Sequence, residues 1–272
     1  MKNNFPKYLK TLRDWRKISG YSNRNILNSH APIATIEYNL QIPCKKLHDK
    51  KIVFLSDLHW DYRISPAKAL TEQINALKPD WIIIGGDLIS YSCFMDSAGK
   101  FLASLEAGSA KIAVYGNWDK KRKRWTPNSV WQDFYGNAGF RLLINEEYNS
   151  DGIHFYGTDD YKVGISEFKA DETELFRILI AHNPDTLDIL TDNDLKKINL
   201  IISGHTHGGQ IRIPFFGALK TSSGYWKKFE YGRFMNKISG TEMIISSGIG
   251  FTWKNIRLFC QPEIVLINFV KK

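Results

Sequence analysis

The segment KIVFLSDLHW, residues 51–60, decides the fold. Ile52 to Leu55 form an apolar, partly β-branched run that then breaks into Ser56, Asp57 and His59. A run this short suits a strand buried on both faces rather than a helix. The same pattern recurs in WIIIGGD (81–87), KIAVYGN (111–117), RILIAHN (177–183) and INLIISGH (198–205). Between these runs lie helix-like stretches, PAKALTEQINALKPD (66–80), SAGKFLASLEAG (97–108) and NSVWQDFYGNAG (128–139). IATIEYNLQI (33–42) alternates with period two, as a half-buried strand does. From about residue 198 strand signals crowd together, in QIRIP, EMIISSG and EIVLINF. The pattern predicts an α/β sandwich of two sheets with helices outside. No repeat or low-complexity linker divides it, so one domain over 33–272 follows an extension over 1–32.

Composition sets the outer limits. Hydrophobic residues at 43% and charged residues at 24% exclude wholesale disorder. A net charge of +9 favours anionic partners such as phosphates or an anionic bilayer. Cys44, Cys93 and Cys260 lack metal-site spacing and are expected as buried thiols in a reducing compartment. No apolar run reaches the roughly 18 residues of a spanning helix, and no secretory signal follows the N-terminus. The expected location is therefore the cytoplasm, with the chain peripheral at the inner face of the cytoplasmic membrane.

The first thirty residues carry seven cations against Asp14 alone. Phe5, Leu9, Leu12 and Trp15 recur at helical spacing, which predicts a basic amphipathic helix over 5–18. Such a helix either lies in a membrane interface or packs on its own domain, and the sequence supports both equally.

Each buried run ends in a residue suited to metal coordination: Asp57 and His59, Asp87, Asn117, His182, then His205 and His207. Singly these are weak signals, since Asp suits a cap or turn and a lone histidine is more often a satisfied core residue. Spacing of two puts His205 and His207 on one side of an extended segment, and flanking glycines permit close approach. Ligand sites in α/β sheets form where strands end, so seven such residues can converge. Mixed carboxylate, imidazole and amide donors suit Mn, Fe or Zn rather than a structural zinc.

The order Asp57-x-His59, Gly86-Asp87, Gly116-Asn117-x-Asp119, His182 and Gly204-His205-x-His207 resembles the calcineurin-like metallophosphoesterases. AHNPD, GHTHGGQIRIP, ISSGIG and IRLFCQPEI look like the bacterial YkuE/YaeI branch, which includes membrane-associated phosphodiesterases and some UDP-2,3-diacylglucosamine pyrophosphatases of lipid A biosynthesis. The resemblance runs from about Ile33 to Phe269 and implies a four-layer αββα sandwich. It also implies a hydrolase with two divalent metal ions, manganese first and iron or zinc as alternatives. Asp57, His59 and His207 would hold one ion and Asn117, His182 and His205 the other. Asp87 would bridge them, with a bridging hydroxide as nucleophile, and Asn117 and His205 would contact the phosphoryl oxygens.

One position departs from that pattern. Most of the superfamily has a histidine after the asparagine, read as the proton donor to the leaving group; here it is Trp118. Indole donates no proton near neutrality, and general acid catalysis contributes about 10²–10⁴-fold. The change favours a leaving group that is already a weak base, as in a pyrophosphate. Lys120, Lys121 and Arg122 open the basic run KKRKR just after Asn117, and with Trp118 they are expected to meet an anionic substrate, with Arg257 as a further phosphate contact. No recognition-module pattern accompanies the run, so nucleic acid is not expected. The favoured substrate is a lipid-linked nucleotide such as UDP-2,3-diacylglucosamine, cleaved to UMP and a lipid phosphate. The alternatives are a soluble or cell-wall diester, or a non-catalytic phosphate-binding protein.

Overall fold

In the computed structural model, residues 5–19, 32–61, 67–120, 126–252 and 256–272 are described. The strands in chain order begin with β1 (Trp15–Ser19), β2 (Ala34–Ile42), β3 (Lys51–Leu55), β4 (Trp81–Ile84) and β5 (Ala110–Ala113). They continue through β6 (Arg141–Leu142), β7 (Glu146–Ser150), β8 (Ile153–Gly157), β9 (Phe176–Ile180) and β10 (Leu200–Ser203). The last are β11 (Arg212–Ile213), β12 (Gly217–Ala218), β13 (Gly232–Asn236), β14 (Glu242–Ile245) and β15 (Glu263–Lys271). The helices are α1 (Phe5–Asp14), α2 (Ala67–Ala76), α3 (Met95–Ala103), α4 (Asn117–Lys120), α5 (Asn128–Asn137) and α6 (Asp192–Lys196).

A six-stranded sheet in the order β2-β15-β3-β4-β5-β6 faces a seven-stranded sheet in the order β1-β13-β14-β10-β9-β8-β7. Both are mixed: β3, β4 and β5 run parallel while β15 opposes β3, and β8, β9 and β10 run parallel while β7 and β13 run antiparallel to their neighbours. The period-two geometry of a strand divides β3 between two cores. Val53 and Leu55 pack outward with Leu70, Ile74, Phe101 and Trp131 of α2, α3 and α5. Ile52 and Phe54 pack inward with Phe155, Ile178, Ile180 and Ile202 of the other sheet. A third cluster covers the far face of the seven-stranded sheet, from Leu179, Ile201 and Met243 to Leu187, Leu195 and Phe229. The four layers expected from the resemblance are therefore present, each held by apolar burial.

The N-terminal helix is shorter than the expected 5–18. It ends at Asp14, and Trp15 instead starts β1, which pairs antiparallel with β13. Trp15 is 2% exposed and meets Phe229 edge-on, so burial of its large ring outweighs helical continuation. Tyr8 stacks on Tyr225 and Leu12 packs on the same cluster, so this face of α1 lies against the domain. Of the three thiols only Cys260 is buried; Cys44 is half-buried and Cys93 exposed, which corrects the expectation of three buried cysteines. Among the described residues no helix is long and apolar enough to cross a membrane.

Candidate active site

β3, β4 and β5 of one sheet and β9 and β10 of the other all end at the same edge of the sandwich. Their C-terminal loops bring together two groups of buried side chains. Asp57, His59 and His207 form one, Asp87, His182 and His205 the other, and within each group the ligand atoms lie within 4.8 Å of one another. The Asp87 carboxylate faces both: its Oδ2 is 3.6 Å from His59 Nε2 and 3.4 Å from His182 Nε2. One carboxylate oxygen is thus near both groups. Asn117 opens α4 beside Asp87 Oδ1, which accepts the neighbouring Trp118 N–H at 2.6 Å. All seven residues read from the strand ends are buried here.

Backbone geometry marks the same residues. Asp57, His59, Asp87, His205 and His207 have φ between 44° and 70°, five of the thirteen non-glycine residues with positive φ among the described residues. Such conformations cost of order 1–3 kcal/mol each and gather where function over-determines the backbone. Glycine makes the approach feasible. A Cβ on Gly204 would lie 1.8 Å from Ser56 Oγ and 2.4 Å from Asp57 Oδ2. One on Gly86, at φ 87°, would lie 2.4 Å from Gly116 N.

Outer contacts orient the inner groups. His182 Nδ1 donates to Gly85 O at 2.7 Å, which turns Nε2 toward Asp87. Asp57 Oδ2 accepts from Ser56 Oγ at 2.6 Å and from His205 N at 2.8 Å. His59 Nδ1 meets Ser90 Oγ at 3.2 Å. Inside, His59 Nε2 and His207 Nε2 are 3.2 Å apart, and His205 Nδ1 and His182 Nε2 are 3.1 Å apart. Asn117 Oδ1 is buried without a hydrogen-bond partner, and Asp57 Oδ1, also buried, faces His207 Nε2 at 3.2 Å. Convergent ring nitrogens and an orphaned oxygen are a donor set for cations, because unsatisfied buried acceptors are otherwise costly. The residues fit divalent metals with mixed nitrogen and oxygen ligands.

The electrostatics agree. Burial opposes charge on Asp57, but His207, His182 and His59 outweigh it and hold the carboxyl far below its usual range. Burial likewise opposes charge on Asp87, and His182 and then His59 hold it down. Burial works against a charged His182, yet Asp87 and Asp57 raise it to about 10. A cation between those carboxylates would displace that proton. Burial, against the pull of Asp87, lowers His59 to about 4, and burial, His182 and Lys162 push His205 well below its ordinary value.

Comparison with known proteins settles the family. Residues 50–209 match the family model described as calcineurin-like phosphoesterase. The chain belongs to the calcineurin-like phosphoesterases. It is 30% identical to the metallophosphoesterase YkuE of Bacillus subtilis over 80% of this chain and 78% of that protein. It is 29% identical to the phosphodiesterase YaeI of Escherichia coli over 81% of this chain and 82% of that protein. The UDP-2,3-diacylglucosamine pyrophosphatase LpxG of Chlamydia muridarum is 26% identical over 87% of this chain and 88% of that protein. As a member of this family, the chain is a metal-dependent phosphoester hydrolase with two candidate metal sites.

The remaining sequence-predicted residues take varied places. Trp118 is half-buried, its ring edge-on to His59 with centroids 5.5 Å apart. Lys120 is tied to Asp159 at 2.6 Å and lies over the Tyr115 ring, so its charge is already engaged. Lys121 and Arg122 lie outside the described residues. Arg257 is 1% exposed: it donates to Gly250 O at 2.6 Å and Ser247 O at 2.9 Å, and Nη2 stands 3.4 Å from His207 Nδ1. Its place is behind a candidate ligand.

Sequence reasoning missed the segment HFYGTDDYK (154–162). It is one more strand, β8, ending in acids, and carries the same signal as the runs that were used. Asp160 Oδ1 accepts from Lys162 N and Val163 N, both at 2.9 Å, while Oδ2 is buried without a partner. This turn presents Lys162, whose Nζ is 2.7 Å from His205 Nε2 and donates to Ser222 O at 2.6 Å. Asp119 has a clear role as well. Oδ2 accepts from Asp87 N and Gly116 N at 2.9 Å, and Oδ1 from Leu88 N at 3.0 Å, which locks the β4 and β5 loops together.

Proposed function

We propose that this phosphoesterase cleaves the pyrophosphate of a lipid-linked nucleotide at the cytoplasmic face of the membrane, with UDP-2,3-diacylglucosamine as the leading substrate. Trp118 carries the proposal. It stands beside Asn117 where a leaving-group acid is expected, and it offers no transferable proton. A pyrophosphate departs as a phosphate ester, a weak base that needs little protonation, so the missing acid costs least on such a substrate. LpxG, which shares about a quarter of the sequence, is named for that pyrophosphatase activity.

Asp57, His59 and His207 would hold one ion, Asn117, His182 and His205 the second, and the Asp87 carboxylate both. Manganese is the leading choice. Bound there, two divalent cations would supply Lewis acidity and an acidified water. The chain's own groups do the rest. Asn117 and His205 orient the phosphoryl oxygens, and the Lys162 ammonium brings fixed positive charge to the same side as His205. Trp118 packs edge-on against His59.

The test is incubation of purified protein and Mn²⁺ with UDP-2,3-diacylglucosamine, beside a panel of soluble and cell-wall diesters. UMP and the lipid phosphate are the expected products. Turnover of another diester with no UMP released would overturn the substrate assignment and leave the hydrolase class intact.

A further inference from the structure

We propose that the hairpin β11–β12 is a membrane-docking element that seats the active-site edge on an anionic lipid bilayer. The proposal rests on the lipid-linked reading of the substrate and assigns the surface that reaches it. The hairpin tip is Ile213-Pro214-Phe215-Phe216, closed by Phe216 N donating to Ile213 O at 3.1 Å. Proline second and a positive φ third are the features of a type II turn, whose third position calls for glycine or asparagine. This chain puts Phe215 there, at φ 64°.

Phe215 is fully exposed, and Phe216 and Trp226 are 60% and 57% exposed; Trp226 also has a positive φ of 53°. Bulky aromatics held in the left-handed region while facing water carry both a conformational and a hydration cost. Nothing in the fold of the described residues covers Phe215. A bilayer interface recovers the hydration cost, because aromatic rings partition to the headgroup level. Ile213 and Leu219 extend the apolar tip.

Charge identifies the occupant. Residues 211–229 contain no acidic residue; Arg212 is buried against Glu230 and Lys228 turns inward to Trp15 O, so Lys220 and Lys227 form the collar at the tip. Lys220 is exposed, and Lys227 Nζ lies 3.3 Å over the Phe216 ring while donating to Phe216 O at 2.9 Å. An apolar tip with a basic collar matches anionic lipid headgroups over an acyl interior.

The tip is also wired to the active site. Arg212 Nη1 donates to Gly208 O at 2.8 Å and pairs with Glu230 in the interior at 2.5 Å. Gly208 directly follows the candidate ligand His207, so a docked hairpin fixes the site edge relative to the bilayer. The N-terminal helix is less suited to this task. Tyr8 and Leu12 are used against the domain, and Lys7 and Lys10 are bonded to Asp188 O and Asp192.

The experiment is sedimentation of the full-length protein with phosphatidylcholine vesicles containing phosphatidylglycerol. The comparison is Phe215→Gly/Phe216→Ser, in which glycine suits the turn and the fold is kept. Wild type should bind, and the double variant should bind at least tenfold more weakly while hydrolysing soluble bis(p-nitrophenyl) phosphate at the wild-type rate. Equal binding of the two proteins, or no binding by wild type, overturns the proposal. So does a wild-type self-association that the double variant loses, since the tip then serves a second copy. Vesicle binding without UMP release from UDP-2,3-diacylglucosamine removes the substrate reading alone. UMP release from detergent micelles without vesicle binding removes the docking reading alone.

Discussion

Asp119 Oδ2 accepts the backbone N–H of Asp87 at 2.9 Å, so the aspartate that follows Trp118 orients the loop bearing the candidate bridging carboxylate. Replacement by asparagine turns one acceptor oxygen into a donor facing N–H groups. Asp119→Asn should cost about 1–3 kcal/mol of stability. Because Asp87 shifts with its loop, bound metal per chain should fall as well. Thermal unfolding and metal analysis check this; a variant with wild-type metal content would show that the tie is dispensable.

Trp118→His restores a transferable proton beside Asn117. The rate on dialkyl phosphates should rise by about 10–100-fold, toward the lower part of what general acids contribute, while activated aryl diesters change little. An equal response of both substrate classes would show that Trp118 acts by shape alone.

The Lys162 ammonium lies 2.7 Å from His205 Nε2. Lys162→Ala should lower kcat by about 10²-fold, as loss of one preorganised charge does, and leave metal content unchanged. Lys162→Arg should recover part of the loss. A parallel fall in metal content would make the lysine a support for His205 instead.

Glu263 answers to pH. Its Oε1 accepts from Ser247 N at 2.9 Å and its Oε2 is buried without a hydrogen-bond partner. Burial raises its pKa above the ordinary 4.5, against the hydrogen bonds of Ser246 and Ser247 and the charge of Arg257. A raised carboxyl pKa in the folded state means that the unfolded chain ionises first. Stability is therefore lost as pH climbs from about 4.5 through the folded value, and stays lower above it. Glu263→Gln keeps an acceptor for Ser247 N and removes the ionisation. The Tm of the variant minus that of wild type should become more positive from pH 5 to pH 8; a flat difference would show that Glu263 ionises alike in both states.

What was legible in the sequence follows from what burial writes into it. Ile52–Leu55 or Ile82–Ile84 are apolar because both faces of their strands are covered, and the polar residue that ends each run is where the loop turns into the site. Trp15 misled because its spacing fits a helix, while the contact that places it, with Phe229, lies more than two hundred residues away. β13 was invisible for a similar reason: GRFMN alternates, but Arg233 is held by Glu242 across the sheet. Lys120 was read as a substrate contact from its place just after Asn117, and Arg257 from the resemblance of IRLFCQPEI. Whether a cation meets solvent or an internal partner such as Asp159 or Gly250 O depends on tertiary neighbours that no local pattern records.

The central claim is that these seven side chains hold a pair of cations sharing the Asp87 carboxylate. Anomalous scattering from a crystal grown in manganese tests it most directly. Two peaks are predicted, one within about 2.0–2.3 Å of ligand atoms of Asp57, His59 and His207, the other similarly close to Asn117, His182 and His205, with Asp87 touching both. No peak, or manganese bound elsewhere with these side chains bonded only to one another, would contradict it.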